Sequence, residues 1–483
     1  MSYLSIAFYG FVIVLFACYY LFARIAPKHQ WVVLLAGSIF FYSCTKPIFL
    51  CFLFTSIITS YATGRLMEYT GRLGIKRLLL ILCLAVNIGI LMTVKLDHDI
   101  LMPLGISFYT FQCIGYLSDV YNRKIEAEKN FLVFALYVSF FPQIAQGPLG
   151  RYADLKPQLV ASHQFDYDQF AMGCIRLLVG VFKKAFIANQ AAIFVDAVYG
   201  SPSEYSGIAG LVATILYAIQ LYADFSGYMD IVLGVGMCLG IRMEENFQRP
   251  YFSKNIAEYW RRWHITLGAW VREYVFYPLQ LSPVVVNMRK KLKRSGHKWA
   301  SKMIPVYIGL FFTWLFIGVW HGTDVTFLLH AALHGGIIML SMTLEPVTKR
   351  INGALHAEGR VWDAFRVIRT FLIVNIGYVF FRSANLADAT SIYHSILFRF
   401  LDADWKGQLH NETMSTAYWC FILAGIVALL IYDWILSKKA IEQFIYEKPM
   451  VVRWIILFGL LLVSILFFNN EAPGATNFLY YQF

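Results

Sequence analysis

Charge is scarce in this chain. Only 14% of its 483 residues are Asp, Glu, Lys or Arg, whereas 59% are hydrophobic, and soluble domains carry roughly 25% charged residues. That deficit excludes a soluble globular protein and points to a polytopic membrane protein. Cysteine is sparse too: the eight residues lie in or beside apolar segments and form no Cys-x-x-Cys pair. Neither a zinc cluster nor a disulfide framework is indicated. The chain has no Walker-type phosphate loop and no Gly-x-Ser-x-Gly elbow, which sets aside a P-loop and a serine acyl-enzyme. No basic region precedes the first apolar run and no small-residue cleavage site follows it, so Ser5 to Ala23 reads as a retained span. Repeats of fixed period and low-complexity tracts are missing, and the longest polar insertion, Arg382 to Ser415, is short for a separate domain. The expectation is one membrane-embedded unit, 1–483, with N-terminal spans over 1–145, a motif-bearing core over 146–345 and C-terminal spans over 346–483.

Apolar windows are what the chain has in abundance. They run from Ser5 to Ala23, Trp31 to Cys44, Pro47 to Thr63, Leu78 to Val94, Leu101 to Tyr116 and Phe131 to Ile144, and later from Ile304 to Trp320, Val325 to Met342, Val367 to Phe381, Tyr418 to Leu436 and Val451 to Phe468. Cys174 to Ile193 also qualifies, but Lys183 and Lys184 sit in its middle. Charges are expensive in hydrocarbon, so this segment is expected to be interfacial or to line a wet cavity. Ser206 to Ile241 is too long for one span and holds Asp224, Gly227 and Asp230; it is predicted to break around Tyr222 to Tyr228. On a ruler of about twenty residues per crossing, the total is about eleven to thirteen transmembrane helices, in an all-α fold with additional interfacial and re-entrant helices.

The net charge of +12 comes from Lys and Arg in short loops between these windows. That distribution follows the positive-inside rule and argues against a nucleic-acid partner. Basic loops at Arg24 and Lys28, Arg65 to Arg77, Arg123 to Lys129, Arg289 to Lys302, Lys349 to Arg369 and Lys438 to Arg453 alternate along the chain. They predict both termini outside, with Gly147 to Asn246 unassigned.

One stretch is amphipathic. At helical spacing Ile256, Tyr259, Trp260, Trp263, Leu267, Trp270, Val271 and Tyr274 share one face, while Glu258, Arg261, Arg262, Arg272 and Glu273 share the other. A helix lying along the membrane interface is expected, with His264 at the edge of its apolar stripe. Most of the eleven histidines fall in polar loops. His321 does not: Gly322 suits a helix C-terminus and Thr323 or Asp324 a following N-cap, which puts the imidazole at a break between two apolar segments. An ionisable group there is a functional candidate, and a neutral imidazole can accept a proton. His330 and His334 are four apart on one helical face with no carboxylate between them; packing or pocket lining is favoured over metal binding.

Several ordered motifs resemble those of the membrane-bound O-acyltransferase (MBOAT) family, in its bacterial, alginate-type branch. They are Tyr222-Ala-Asp-Phe-Ser-Gly-Tyr228, Glu245-Asn-Phe-Gln-Arg-Pro-Tyr251, Tyr259-Trp-Arg-Arg-Trp-His-Ile-Thr-Leu267, Val319-Trp-His-Gly322, Gly147-Pro148-Leu149-x-Arg151 and the terminal Tyr480-Tyr-Gln-Phe483. Leu279 to Ser282 departs from the pattern, reading Leu-Gln-Leu-Ser where many alginate-type members carry a Gly-Gly-Asn-Arg-like turn. The resemblance implies that His321 is the essential histidine and that His264 matches a second one. It places Asn246, Trp320, Asp224 and Arg151 among substrate or pocket residues, without a metal or a tightly bound cofactor. It also implies helices around a central funnel in a bacterial inner membrane, an acyl donor such as acetyl-CoA or another thioester on the cytoplasmic side, and a glycan hydroxyl as acceptor outside. An extracytoplasmic SGNH-type partner often completes such a transfer.

The resulting expectation is an acyltransferase acting on an extracytoplasmic polysaccharide. Within the same class, D-alanyl transfer to teichoic acid is the alternative. Outside it stand a transporter, which broken helices and buried charges would also suit, and a non-catalytic scaffold of a glycan exporter.

Overall fold

The computed structural model describes residues 3–96, 102–402 and 404–468; the terminal Tyr480 to Phe483 motif lies outside them. Every regular element among these residues is helical, and the one extended pairing is an isolated antiparallel bridge between Phe247 and Trp263. The helices used below are α1 (Ile6–Ile25), α2 (Phe49–Tyr69), α3 (Leu73–Leu96), α4 (Ile106–Tyr121), α5 (Tyr167–Phe182), α6 (Gly207–Cys238), α7 (Ile256–Arg262), α8 (Ile265–Val271), α9 (Lys298–His321), α10 (Val325–Thr343), α11 (Arg360–Arg382), α12 (Thr416–Leu436) and α13 (Met450–Phe468).

Among the described residues nine helices are long and apolar enough to cross a membrane: α1, α2, α3, α6 and α9 to α13. The chain is an all-α polytopic membrane protein. The expected total was higher because it counted shorter windows. Trp31 to Cys44 becomes the 14-residue helix Gln30–Ser43, and Leu101 to Tyr116 becomes the 16-residue α4. At 1.5 Å per residue these reach about 21 and 24 Å, short of a hydrocarbon core of about 30 Å. Phe131 to Ile144 divides into Phe131–Ser139 and Phe141–Ile144, with Pro142 at the start of the second piece.

The expected break in Ser206 to Ile241 does not occur. α6 runs unbroken for 32 residues and is buried along most of its length, with Asp224 and Asp230 inside the protein. Both carboxylates are satisfied by the neighbouring helical run. Lys183 Nζ lies 2.7 Å from Asp230 Oδ2, and Lys184 Nζ lies 2.6 Å from Asp224 Oδ1. The two lysines therefore face protein, buried, rather than an interface. They sit in a π-helical turn, Lys183–Ala188, that continues α5, and such an extra-residue turn lets consecutive side chains both aim at one partner helix. α5 and α6 touch backbone to backbone: a Cβ on Gly180 would meet Gly227 O at 2.5 Å, and one on Gly173 would meet Gly234 O at 2.7 Å. Small residues permit this approach, which brings the opposite charges into contact.

The amphipathic stretch also differs from expectation. It is two short helices, α7 and α8, separated at Trp263 and His264, and its aromatic face is turned into the protein core. Trp263 packs between Phe247 (ring centroids 5.0 Å) and Tyr259 (5.7 Å) and is buried. The charged face is lighter: Arg262 pairs with Glu258 at 2.6 Å, both partly exposed. Truncating a buried tryptophan costs about 3 kcal/mol or more, whereas an exposed i,i+4 pair contributes roughly 0.3 to 0.5. Trp263→Glu should therefore lower the detergent unfolding temperature or abolish expression, and Glu258→Gln should leave both nearly unchanged. Equal tolerance of the two substitutions would contradict this packing.

Candidate functional site

Asn246 organises the site. Its Oδ1 accepts from Thr266 N (3.0 Å) and Thr266 Oγ1 (2.7 Å) and faces His264 Nδ1 at 3.4 Å. Its Nδ2 points to Met229 Sδ on α6 at 3.1 Å. Backbone bonds from Gln248 N to Arg262 O and from Ile265 N to Asn246 O pin the same loop to the junction of α7 and α8. Leu149 N donates to Thr266 Oγ1 at 3.1 Å, so the Gly-Pro-Leu segment is tied to the same point. Three stretches distant in sequence converge on one hydroxyl and one amide.

That network holds His264 in a left-handed conformation, φ 46° and ψ 54°, which costs a residue with a Cβ about 1 to 2 kcal/mol. Strain of this kind persists where surrounding bonds over-determine it. The Nδ1 hydrogen donates towards Asn246 Oδ1, leaving the lone pair on Nε2. The ring packs edge-on against Phe225 at 4.9 Å. Burial pushes its pKa down to about 3, so the imidazole is neutral.

His321 is the last residue of α9. Gly322 caps that helix and Asp324 caps the next, accepting from Thr326 N at 3.1 Å. The turn is tight, since a Cβ on Gly322 would lie 2.5 Å from Phe327. His321 is buried and packs edge-on against Phe381 of α11 at 4.9 Å. The Trp320 indole packs against both histidines, with centroids 4.5 Å from His321 and 6.0 Å from His264. The helix break expected at His321 and its proximity to His264 are thus both present.

His330 and His334, on α10, are buried with ring centroids 4.5 Å apart. His330 Nδ1 donates to Gly377 O at 2.9 Å, and a Cβ on Gly377 would reach His334 Nε2 at 2.4 Å. The His334 ring lies among Trp260, Trp314 and Tyr259, and His330 touches Phe381 at 5.0 Å. These two line and support the wall shared with His321. Among the described residues, no group of three or more His, Cys, Asp or Glu that could hold a metal includes them.

Two predicted pocket residues lie elsewhere. Asp224 is engaged by Lys184, while its neighbour Phe225 makes the contact with His264. Arg151 pairs with Glu273 at 2.8 Å and lies over the Tyr274 ring. It borders a cavity of about 10 Å³, roughly one water, lined also by Asp119, Gln112, Tyr137 and Trp270. Trp270 stacks on Phe111 at 4.4 Å, and Phe111 is 6.0 Å from Trp320. Three aromatic rings, Trp270, Phe111 and Trp320, thus link the surroundings of Arg151 to the histidines. Thr266, Phe381 and Lys95 belong to the site without having been singled out from sequence. Lys95 offered one signal, a lone charge one residue beyond the apolar run Leu78 to Val94.

Comparison with known proteins decides the family. A profile of the membrane-bound O-acyltransferase family matches residues 36–381. The chain belongs to the MBOAT family. It is 34% identical to a Pseudomonas aeruginosa protein described as a probable alginate O-acetylase, over 73% of this chain and 61% of that one, so it spans less than two thirds of that relative's length. A Helicobacter pylori peptidoglycan O-acetyltransferase is 30% identical over 81% of this chain and 77% of its own. A Bacillus subtilis teichoic acid D-alanyltransferase is 27% identical over 59% and 69% respectively. The family match covers all six residues discussed above as site candidates, Arg151, Asp224, Asn246, His264, Trp320 and His321.

Proposed function

We propose that this MBOAT protein is an O-acetyltransferase that moves acetyl from a thioester, such as acetyl-CoA, supplied on the cytoplasmic side, to hydroxyls of an extracytoplasmic polysaccharide. Its membrane is the bacterial inner membrane, and an extracytoplasmic SGNH-type partner completes delivery to the polymer. The main support is the pair of buried imidazoles flanking Trp320 at a break between apolar helices. A thioester is already activated, so the protein has to align it, take the proton of the attacking hydroxyl and stabilise the charge that develops. His321 is the base in this scheme. His264, a neutral ring held by Asn246 and packed against the same indole, helps to orient the reacting groups. The names of two relatives, an alginate O-acetylase and a peptidoglycan O-acetyltransferase, favour acetyl over D-alanyl as the group moved.

Deleting the gene should remove O-acetyl esters from a surface glycan, read by mass spectrometry of glycans with and without it, and re-expression should restore them. Loss of D-alanyl esters instead would reassign the acyl group. An unchanged ester content of every surface glycan would sink acyl transfer itself.

A further inference from the structure

Four Lys or Arg side chains are buried among the described residues: Lys95, Arg176, Lys183 and Lys184. Three are neutralised in place. Arg176 contacts Asp230 and Glu245, Lys183 contacts Asp230, and Lys184 contacts Asp224. Lys95 differs: no Asp or Glu among the described residues lies within ion-pairing distance, although the residue is only 8% exposed. It is the penultimate residue of α3, and its ammonium donates to the backbone carbonyl of Trp320, the residue before His321. The Nζ atom also stands 5.9 Å from the centre of the Trp320 ring.

A buried cation in an apolar site is costly, and intramembrane charges mark function by default. The carbonyl end of α9 offsets part of that cost, because helix C-termini carry partial negative charge. It occupies one of three ammonium hydrogens. Among the described residues no full negative charge faces the ammonium, and the reaction proposed above generates one transiently beside His321.

We propose that Lys95 is a catalytic residue whose ammonium donates a hydrogen bond to the oxyanion formed during acyl transfer. The proposal rests on His321 being the base. In the step, the acceptor oxygen attacks the thioester carbonyl carbon as its proton passes to His321, and the carbonyl oxygen takes up the electron pair. When the carbonyl re-forms, the carbon–sulfur bond breaks and the departing thiolate takes the proton from His321. Lys95 gives up no proton; it supplies positive charge where negative charge appears. Side-chain donors placed in this way are typically worth about a hundred to a thousand fold in rate.

The test uses membranes from a gene-deletion strain expressing the full chain or its variants, with radiolabelled acetyl-CoA as donor and the host's alkali-deacetylated surface glycan as acceptor. Lys95→Met keeps the length of the side chain and removes its charge. It should lower kcat about a hundred to a thousand fold, with the donor KM within about twofold of the parent. Lys95→Arg should recover at least a tenth of the parental rate, and propylammonium added to Lys95→Ala should restore rate in a saturable way. Unfolding temperatures in detergent should match across the set. A Lys95→Met rate within threefold of the parent, where His321→Ala is inactive, would overturn the role of Lys95 and spare that of His321. So would a loss that appears in KM or unfolding temperature and that neither arginine nor the amine repairs, since that pattern belongs to a strut holding the end of α9. Parental activity in His321→Ala would instead remove the reading on which the inference rests.

Discussion

Alanine at position 321 should abolish acyl transfer while leaving the protein folded and inserted. A positioned base typically contributes about a hundred to ten thousand fold in rate, and the described imidazoles around this one are held by other partners. His264 packs against the Trp320 indole and is held by Asn246, and His330 is committed through Nδ1 to Gly377 O. Folding should survive because the turn is made by other residues: Gly322 closes α9, and Asp324 opens α10 by accepting from Thr326 N. The ring's loss is felt mainly at Phe381 and Phe327, against which it packs. His330→Ala and His334→Ala should reduce the rate less, because those rings form the wall and not its reacting surface. The measurement is acetyl transfer per folded molecule, with insertion checked by size-exclusion profile and unfolding temperature. A transporter would behave differently, keeping a cellular phenotype unrelated to ester formation, and a scaffold would lose function only through misassembly. Folded His321→Ala protein that acylates at the parental rate would end the assignment of His321 as base.

How far the sequence alone could reach depended on the distance between partners. The turn at His321 was legible because its signals are local: Gly322 behind it and Asp324 as the next N-cap. The meeting of His264 and His321 at one indole was legible only through the family motifs, since nothing in periodicity brings together residues 57 positions apart. Periodicity misled where a hydrogen-bond network overrides it. The stripe from Ile256 to Tyr274 has one helical phase, yet Asn246 and the bridge from Phe247 to Trp263 force His264 to a positive φ and split the helix. Asp224 and Asp230 argued for a broken α6 because their partners, Lys184 and Lys183, were forty or more residues away and could not be paired in advance. Lys95 was passed over for the same reason, since its meaning comes from Trp320 on another helix.

The same long-range pairing implies a large stability effect at Asp230. This carboxylate accepts from Arg176 Nε at 3.1 Å and from Lys183 Nζ at 2.7 Å, in a region where all three side chains are almost wholly buried. Asp230→Ala leaves Arg176 with Glu245 and Glu442, but leaves Lys183, among the described residues, with the Ser226 hydroxyl at 3.1 Å and the face of the Tyr432 ring and no carboxylate in contact. Breaking a buried pair by removing one partner costs about 3 to 5 kcal/mol, because the remaining charge is stranded. An exposed pair provides the contrast: Asp363→Ala, which removes the partner of Lys254 at 2.8 Å, should leave the unfolding temperature nearly unchanged. If the stranded charge is the cause, adding Lys183→Met to the Asp230→Ala protein should recover much of the loss, since a buried ion pair can be exchanged for apolar side chains at little net cost. The close contact of α5 and α6 at Gly180 and Gly227 is unaltered by either change, so the helices can still meet. Detergent unfolding temperatures of the single and double variants decide the matter. A double variant as unstable as Asp230→Ala alone would place the energy in the geometry of the π-helical turn and not in the unpaired ammonium.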